Sequence, residues 1–243
     1  IYSDGHAFPG LAYTEITALN SEDLNRALEA EQRLEGKIVE SANTGGSIGF
    51  SANVADVVRD LFCRPVIEGD GDGTPYAVDY YRGYEPTTLN ATEFDAFYDY
   101  CNADGDDGKG GTEKRFAFNG RIVERRERFE QAAKVAAVGR GNVWYDGQHV
   151  RVWIDKATVA THVFCMANML RGTYKEASVD RRQIPGAIEA EIYVASAGYN
   201  RLPVKYVNVS AESERVEQLD GNGMTSIGQF IRLARFLSDK AEA

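Results

Sequence analysis

An α+β fold follows from three features of this 243-residue sequence. Val54, Val57, Val58, Leu61 and Phe62 recur at helical spacing, and Ile188, Ala190, Ile192 and Val194 alternate as a half-buried strand does. Asp146-Gly147 sits between two alternating runs, a hairpin signal that suits a type I′ turn. Helices interleaved with antiparallel hairpins predict a compact α+β unit over residues 45–155. The flanking segments, 1–44 and 156–243, are each too poor in strands to close a good core. They are expected to join in one discontinuous β-rich domain into which the α+β unit is inserted.

Residues 1–40 open with extended sequence punctuated by Gly and Pro. Ser21 with Leu24 and Leu28 permits a helix start, whereas Leu28, Ala30, Gln32 and Leu34 alternate as a strand, the reading favoured here. A Gly/Ser/Asn stretch at 41–51 marks a boundary. Asn53 is placed to cap the first helix and Pro65 to end it. An acidic, Gly-rich loop at 68–75 leads into a tyrosine-rich segment, 76–84. Thr92 is expected to cap a second helix with Phe94, Phe97, Tyr98 and Cys101 on its inner face. Residues 115–123 alternate around Phe116, Phe118 and Ile122 and predict a strand with a turn at Asn119-Gly120. A helix over 124–138 turns Phe129, Ala132, Ala133 and Ala136 inward, and the Asp146-Gly147 hairpin follows. Beyond residue 155, strands are expected at 163–170, 188–194 and 204–209, with turns at 184–186, 196–200 and 220–223. Ser226 and Gln229 form a capping box for a last helix with Ile227, Phe230, Ile231, Ala234 and Leu237 inward.

Composition narrows the function classes. An apolar share of 43% beside 26% charged residues excludes global disorder. The net charge of −10, from 27 basic and 37 acidic residues, argues against a sequence-independent nucleic-acid binder, which needs clustered cations to displace counterions. Cys63, Cys101 and Cys165 are widely spaced without a CxxC pair, so they read as reduced, buried thiols rather than a zinc ribbon or disulfide framework. No apolar run approaches the roughly 18 residues that a membrane span requires. The opening at Ile1, without initiator Met or signal peptide, and the stop inside a helical pattern lead us to expect a segment of a longer chain.

Chemical motifs are weak. Asp70-Gly71-Asp72 opens like a calcium loop, yet position 81 holds Tyr81 where the distal Glu would be needed, and Asp104, Asp106 and Asp107 have the same defect. His6, His149 and His162 show no metal-ligand spacing. Ser47 lies between glycines but no apolar strand precedes it, so it is no nucleophile elbow. Glu93, Asp95 and Asp99 could line a sugar groove, although Asp95 and Asp99 share a polar helix face that is ordinarily only solvated. Arg121, Arg125, Arg126 and Arg128 alternate with Glu124, Glu127 and Glu130 and read as a salt-bridged surface or subunit contact. Tyr76, Tyr80, Tyr81, Arg82 and Tyr84 have the composition of a protein-contact site, with core packing as the competing role for each ring. No catalytic, cofactor-binding or metal-binding residue is assigned.

NVADVVRDLF, FDAFYDYC, GGTEKRFAFNG, GNVWYDGQHVRVWID, FCMANMLRGTY and SIGQFIRLARFL, taken in that order, resemble the tail-tip attachment (host-specificity) protein family of lambda-like siphophages. NVADVVRDLF is similar to the family's asparagine-led helix that begins its inserted unit. FDAFYDYC followed by GGTEKRFAFNG is similar to its helix, acidic loop and PRF-x-x-N strand, with Lys114 where Pro is usual. GNVWYDGQHVRVWID resembles a Trp-containing hairpin ending in an acidic residue, FCMANMLRGTY the next Phe-Asn-Gly element, and SIGQFIRLARFL an Arg-containing terminal helix. The resemblance runs from residue 45 to residue 241; the first forty residues match poorly and segment 76–84 is unusual. It implies a hub of β-barrel-like domains with an α+β insertion, assembled as a homotrimer around the tail axis, in contact with other tail-tip and tail-tube proteins. It also implies no catalytic residue or cofactor, receptor recognition by regions outside this segment, assembly in the bacterial cytoplasm and a place at the virion tail tip. The alternatives are a carbohydrate-active or peptidoglycan-cleaving tail module and a module that binds a host-surface ligand.

Overall fold

In the computed structural model of this chain the described residues are 38–40, 48–69, 75–120, 122, 126–159, 163–165, 167–175, 184–209 and 213–242, with backbone alone described at 38–40, 48, 65–69 and 75–82. The ambiguous segment 21–34 and the Asp70-Gly71-Asp72 loop lie outside them.

Helix α1, Val54–Phe62, forms where its periodicity predicts, with Val54, Val58 and Phe62 buried. The Asn53 side chain accepts a hydrogen bond from the Ala55 amide at 2.9 Å, capping the helix, and donates to the Tyr98 carbonyl at 3.2 Å. Pro65 does not end α1. The chain turns at Cys63 straight into β3, Cys63–Gly69, which pairs antiparallel with β4, Pro75–Gly83. The register jumps from Val66–Val78 to Pro65–Tyr81, so Asp79 and Tyr80 bulge beside the proline that has no N–H to give. Upstream, β1 (Ile38–Glu40) pairs with β2 (Ile48–Phe50) and lies against α1 and β3.

Helix α2, Ala91–Asn102, is capped by Asn90 rather than Thr92: the Asn90 side chain accepts from the Glu93 amide at 3.2 Å. Phe94, Phe97 and Cys101 are buried as expected. The acidic stretch that follows is ordered into a small hairpin of β5, Asp104–Asp106, and β6, Thr112–Lys114. Residues 115–120 are not a regular strand, because only Ala117 makes a ladder bridge, to Asn53. Phe116 and Phe118 are nonetheless buried, whereas Ile122 is exposed. Helix α3 begins at Arg128, later than predicted, and runs to Val138; Ala132 and Ala136 face in, but Ala133 faces solvent and Val135 takes the inner position. Strands β7, Gly141–Tyr145, and β8, Val150–Ile154, form the expected hairpin.

In the C-terminal part β9, Ala187–Val194, pairs antiparallel with β10, Asn200–Val207, and parallel with β11, Val216–Gln218. Its predicted alternation holds: Ile188, Ala190, Ile192 and Val194 are buried. Residues 163–170 form turns, not a strand, where described, and Val163, Phe164 and Leu170 are exposed there. Helix α4, Ile227–Glu242, buries Phe230, Leu233 and Ala234, while Ile231 points out. Ser226 caps it, accepting from the Gly228 amide at 3.1 Å. Gln229 does not complete the box; its side chain spans away to Ala117, accepting from the amide at 3.3 Å and donating to the carbonyl at 2.8 Å.

That diversion explains how the irregular stretch is tolerated. Arg232 donates to the carbonyls of Asp106, Lys114 (3.4 Å) and Arg115 (2.9 Å) and to Glu113 at 2.7 Å. The Asn119 amide donates to Gly223 O and the Phe118 amide to Ala52 O, each at 2.8 Å. Gly223 has φ +86°, and a Cβ there would meet the Phe118 ring at 2.3 Å. Buried side chains of α1, α2, α3, β8, β9 and α4 consequently belong to one hydrophobic cluster. The sheets among the described residues are four of two strands and one of three, and none closes into a barrel.

Gln229 is 2% exposed, so Gln229→Ala leaves both backbone groups of Ala117 without their partner. The expected loss is about 2 kcal/mol, read as a fall in Tm of roughly 4–8 °C. A melting curve superimposable on the parent's would show that this bridge does not hold α4 in place.

Candidate functional site

The chain's two tryptophans both lie on the β7–β8 hairpin. Trp144 pairs across the ladder with Arg151, and Asn142 with Trp153, so these four side chains share one face while Val143 and Val152 share the other. Val150, Val152 and Ile154 are buried, and α2 packs against β8. The indoles point the other way, 40% and 49% exposed. Such rings combine large contact area with little conformational freedom to lose.

Polar contacts make this face rigid. Glu93, in the first turn of α2, receives Arg151 Nε at 3.0 and 3.2 Å, one of its terminal nitrogens, and the Val152 amide at 3.2 Å. Asp146 lies 3.7 Å from the same guanidinium, whose carbon sits 5.8 Å from the Trp144 ring centroid. The hairpin loop is not the two-residue turn expected. Four residues, 146–149, connect the strands, and the Asp146 carboxylate accepts from the amides of His149 (2.7 Å) and Gln148 (2.9 Å). Those bonds hold the Asp146 carboxyl below the usual aspartate range. His149, the last residue of the loop, is half-buried.

Tyr76, Tyr80, Tyr81 and Arg82 lie along β4, Tyr80 in its bulge, where backbone alone is described. Tyr84 follows that strand and is half-buried, its centroid 6.2 Å from Phe62 and 5.3 Å from the Arg128 guanidinium carbon. Tyr84 therefore belongs to the core packing. Glu93 is committed to Arg151, which removes it from the sugar-groove trio with Asp95 and Asp99. In the β5–β6 hairpin Asp106 and Asp107 accept backbone amides of their own turn, and Asp104 pairs with Lys114 at 3.1 Å. No group of three side chains placed to hold a metal occurs among the described residues. Arg126 pairs with Glu130, in line with the salt-bridged surface predicted there. Cys63 and Cys101 are buried, and desolvation pushes the Cys101 thiol far up; Cys165, expected buried, is exposed. A concavity of about 740 Å³ opens between α3 and α4 over Phe118, Val135, Leu233 and Leu237. No helix among the described residues is long and apolar enough to cross a membrane.

The exposed indoles were within reach of sequence reasoning. Trp144 and Trp153 sit at opposite parity to Val143 and Val152, and period-2 alternation alone assigns them to the outer face.

Because both tryptophans occupy this face, fluorescence excited selectively at tryptophan reports on it. Iodide and acrylamide should both quench it efficiently; a blue-shifted emission insensitive to iodide would mean the face is covered. Glu93→Gln is expected to weaken the hairpin's attachment, read as a lowered Tm, because the charge-assisted bonds to Arg151 are lost. It should also alter that emission through Arg151 and Trp144. Asp146 should titrate by carboxyl NMR with a midpoint below about 3.9, the unfolded value. Its folded pKa is depressed, so its contribution is complete above the unfolded value and is lost as pH falls through the folded one. A midpoint at or above the unfolded value would contradict the loop geometry.

No family model matches the chain. Over 85 residues, 35% of the chain, it is 26% identical to "Tip attachment protein J" of Escherichia phage SECphi27. The match spans 7% of that protein's length. The similarity to a phage tail attachment protein is distant and partial.

Proposed function

We propose that this chain is a structural component of a phage or prophage tail tip. In this reading it is a central hub segment that connects the tail tube to the distal host-attachment fibre and catalyses no reaction. Residues 1–44 and 156–243 make up its β-rich, barrel-like hub domain, with 45–155 as the inserted α+β unit. The full-length protein is a homotrimer whose partners are other tail-tip and tail-tube proteins, and receptor binding belongs to regions outside this segment. It assembles in the bacterial cytoplasm and resides at the virion tail tip.

The observation that most supports this reading is the 85-residue match to a tip attachment protein. The rigid indole face adds a surface of the type that protein contacts use, with Trp and Arg side by side. Tyr76, Tyr80, Tyr81 and Arg82, carried on the bulged strand β4, are proposed as a second contact.

Antibodies raised against this chain should label virions of the source phage at the distal end of the tail in immunogold micrographs. Label on the capsid, or virions that lack the protein by mass spectrometry, would remove it from the tail tip. Light scattering on the full-length protein should return three chain masses, and a monomer would overturn the hub assignment.

A further inference from the structure

The chain is acidic overall, yet one part of its surface gathers cations around two aromatic rings. The guanidinium carbons of Arg115 and Arg140 and the ammonium of Lys156 lie 4.7, 6.0 and 5.7 Å from the centroid of the Tyr100 ring. Arg140 also stacks on Phe236, with its guanidinium carbon 3.4 Å from the centroid, and Lys240 stands 5.8 Å from the same ring. Four elements of the fold build this cluster. Tyr100 comes from the end of α2, Arg115 follows β6, Phe236 and Lys240 belong to α4, and Arg140 and Lys156 flank the open end of the β7–β8 hairpin. Arg140 holds its place with φ +62°, and its neighbours lock it: its amide donates to Ala137 O at 3.0 Å and its carbonyl accepts from the Asp155 amide at 2.9 Å. Tertiary structure, not a run of basic sequence, brings these charges together.

The cluster is electrostatically unbalanced. Asp155 is the carboxylate paired within it, and Lys240 engages that group at 2.6 Å. Among the described residues no carboxylate pairs with Arg115, Arg140 or Lys156. The Arg140 Nε is buried and finds no acceptor. Ring faces compensate a cation only in part, so like charges held around one ring raise the free energy of the unliganded surface. An anion seated among them would relieve that repulsion and give the guanidinium groups the planar, two-oxygen partner they fit.

We propose that Arg115, Arg140 and Lys156, arranged around Tyr100, form a docking socket for a carboxylate-rich (Asp/Glu) segment of a partner protein. A nucleic acid is the poorer fit. It carries charge along its whole length and would have to lie across a surface whose net charge is −10, whereas a short acidic segment needs only the local cluster. At physiological salt the charges beyond about 8 Å are screened, so the local cations dominate for a small ligand. The socket would stand even if the chain served outside a phage tail.

A fluorescein-labelled hexaglutamate with blocked ends is the probe, followed by anisotropy from physiological ionic strength upward with the intact chain. Saturable binding is expected, weakening as salt is raised. It should fall about tenfold in the double variant R115Q/K156Q, a difference of about 1.4 kcal/mol. Circular dichroism and melting curves establish that this variant is folded. K156Q alone, a change at an exposed side chain, should give a smaller loss in the same direction. Binding by K175Q, altered outside the cluster, should match the parent's, and the Tyr100 ring resonances should shift on titration. No binding, or equal binding by the folded double variant, would overturn the socket. So would an equal loss in K175Q, which would show diffuse attraction. Tighter binding of an oligothymidylate of the same charge would overturn the carboxylate assignment.

Discussion

The fold depends on how one irregular stretch of backbone is satisfied. Between Arg115 and Asn119 the chain passes buried Phe116 and Phe118 with one ladder bridge, from Ala117 to Asn53, a situation in which unpaired N–H and C=O groups would be costly. Backbone carbonyls take the amides of Arg115, Phe116, Phe118 and Asn119, and two side chains of α4 take further groups. Gln229 takes both polar groups of Ala117, as a neighbouring strand would, and Arg232 gathers the carbonyls around the β5–β6 hairpin together with Glu113. Ser226, which caps α4, also donates to Glu113 at 2.5 Å. The last helix is therefore hydrogen-bonded to the middle of the chain as well as packed on it. This is why the α+β unit and the C-terminal sheet share one hydrophobic cluster.

With that frame in place, the β7–β8 hairpin is free to present a face. Its inner valines and Ile154 are spent on the core against α2, and Glu93 fixes it from the outside through Arg151. The tryptophans then remain solvent-facing on a support that does not yield. Charge is managed in the same way over much of the surface. Lys205 with Glu189, and Arg201 with Glu191, tie β10 to β9, and the hydrogen bond from Lys205 holds the Glu189 carboxyl below its ordinary range. Around Tyr100, by contrast, Arg115, Arg140 and Lys156 have no ion-pair partner among the described residues, on a chain of net negative charge.

Much of the architecture was legible in the residues. The α1 face, the inner side of α2, the alternation of β9 and the pairing of β7 with β8 all follow from local periodicity, because each buries its apolar side against a single neighbour. Errors fell where a residue had two competing local roles. Thr92 and Asn90 are both good caps, and which one serves depends on where the preceding chain turns. Pro65 resembles a helix terminator, yet the helix had already ended and the proline is accommodated by a bulge. Residues 115–120 alternate like a strand, but no second strand lies alongside, and side chains of α4 take that role. At 163–170 the described apolar residues Val163, Phe164 and Leu170 are exposed, so their alternation serves no buried face.

The candidate surfaces divide along the same line. Periodicity and turn chemistry were enough to specify the helices, the hairpins and even the outward side of Trp144 and Trp153, because those properties are set by neighbours within a few positions. The diversion of Gln229, the inward packing of Tyr84 and the meeting of Arg115, Arg140 and Lys156 required the assembled chain. Each joins positions many residues apart, and no local preference encodes the distance between them.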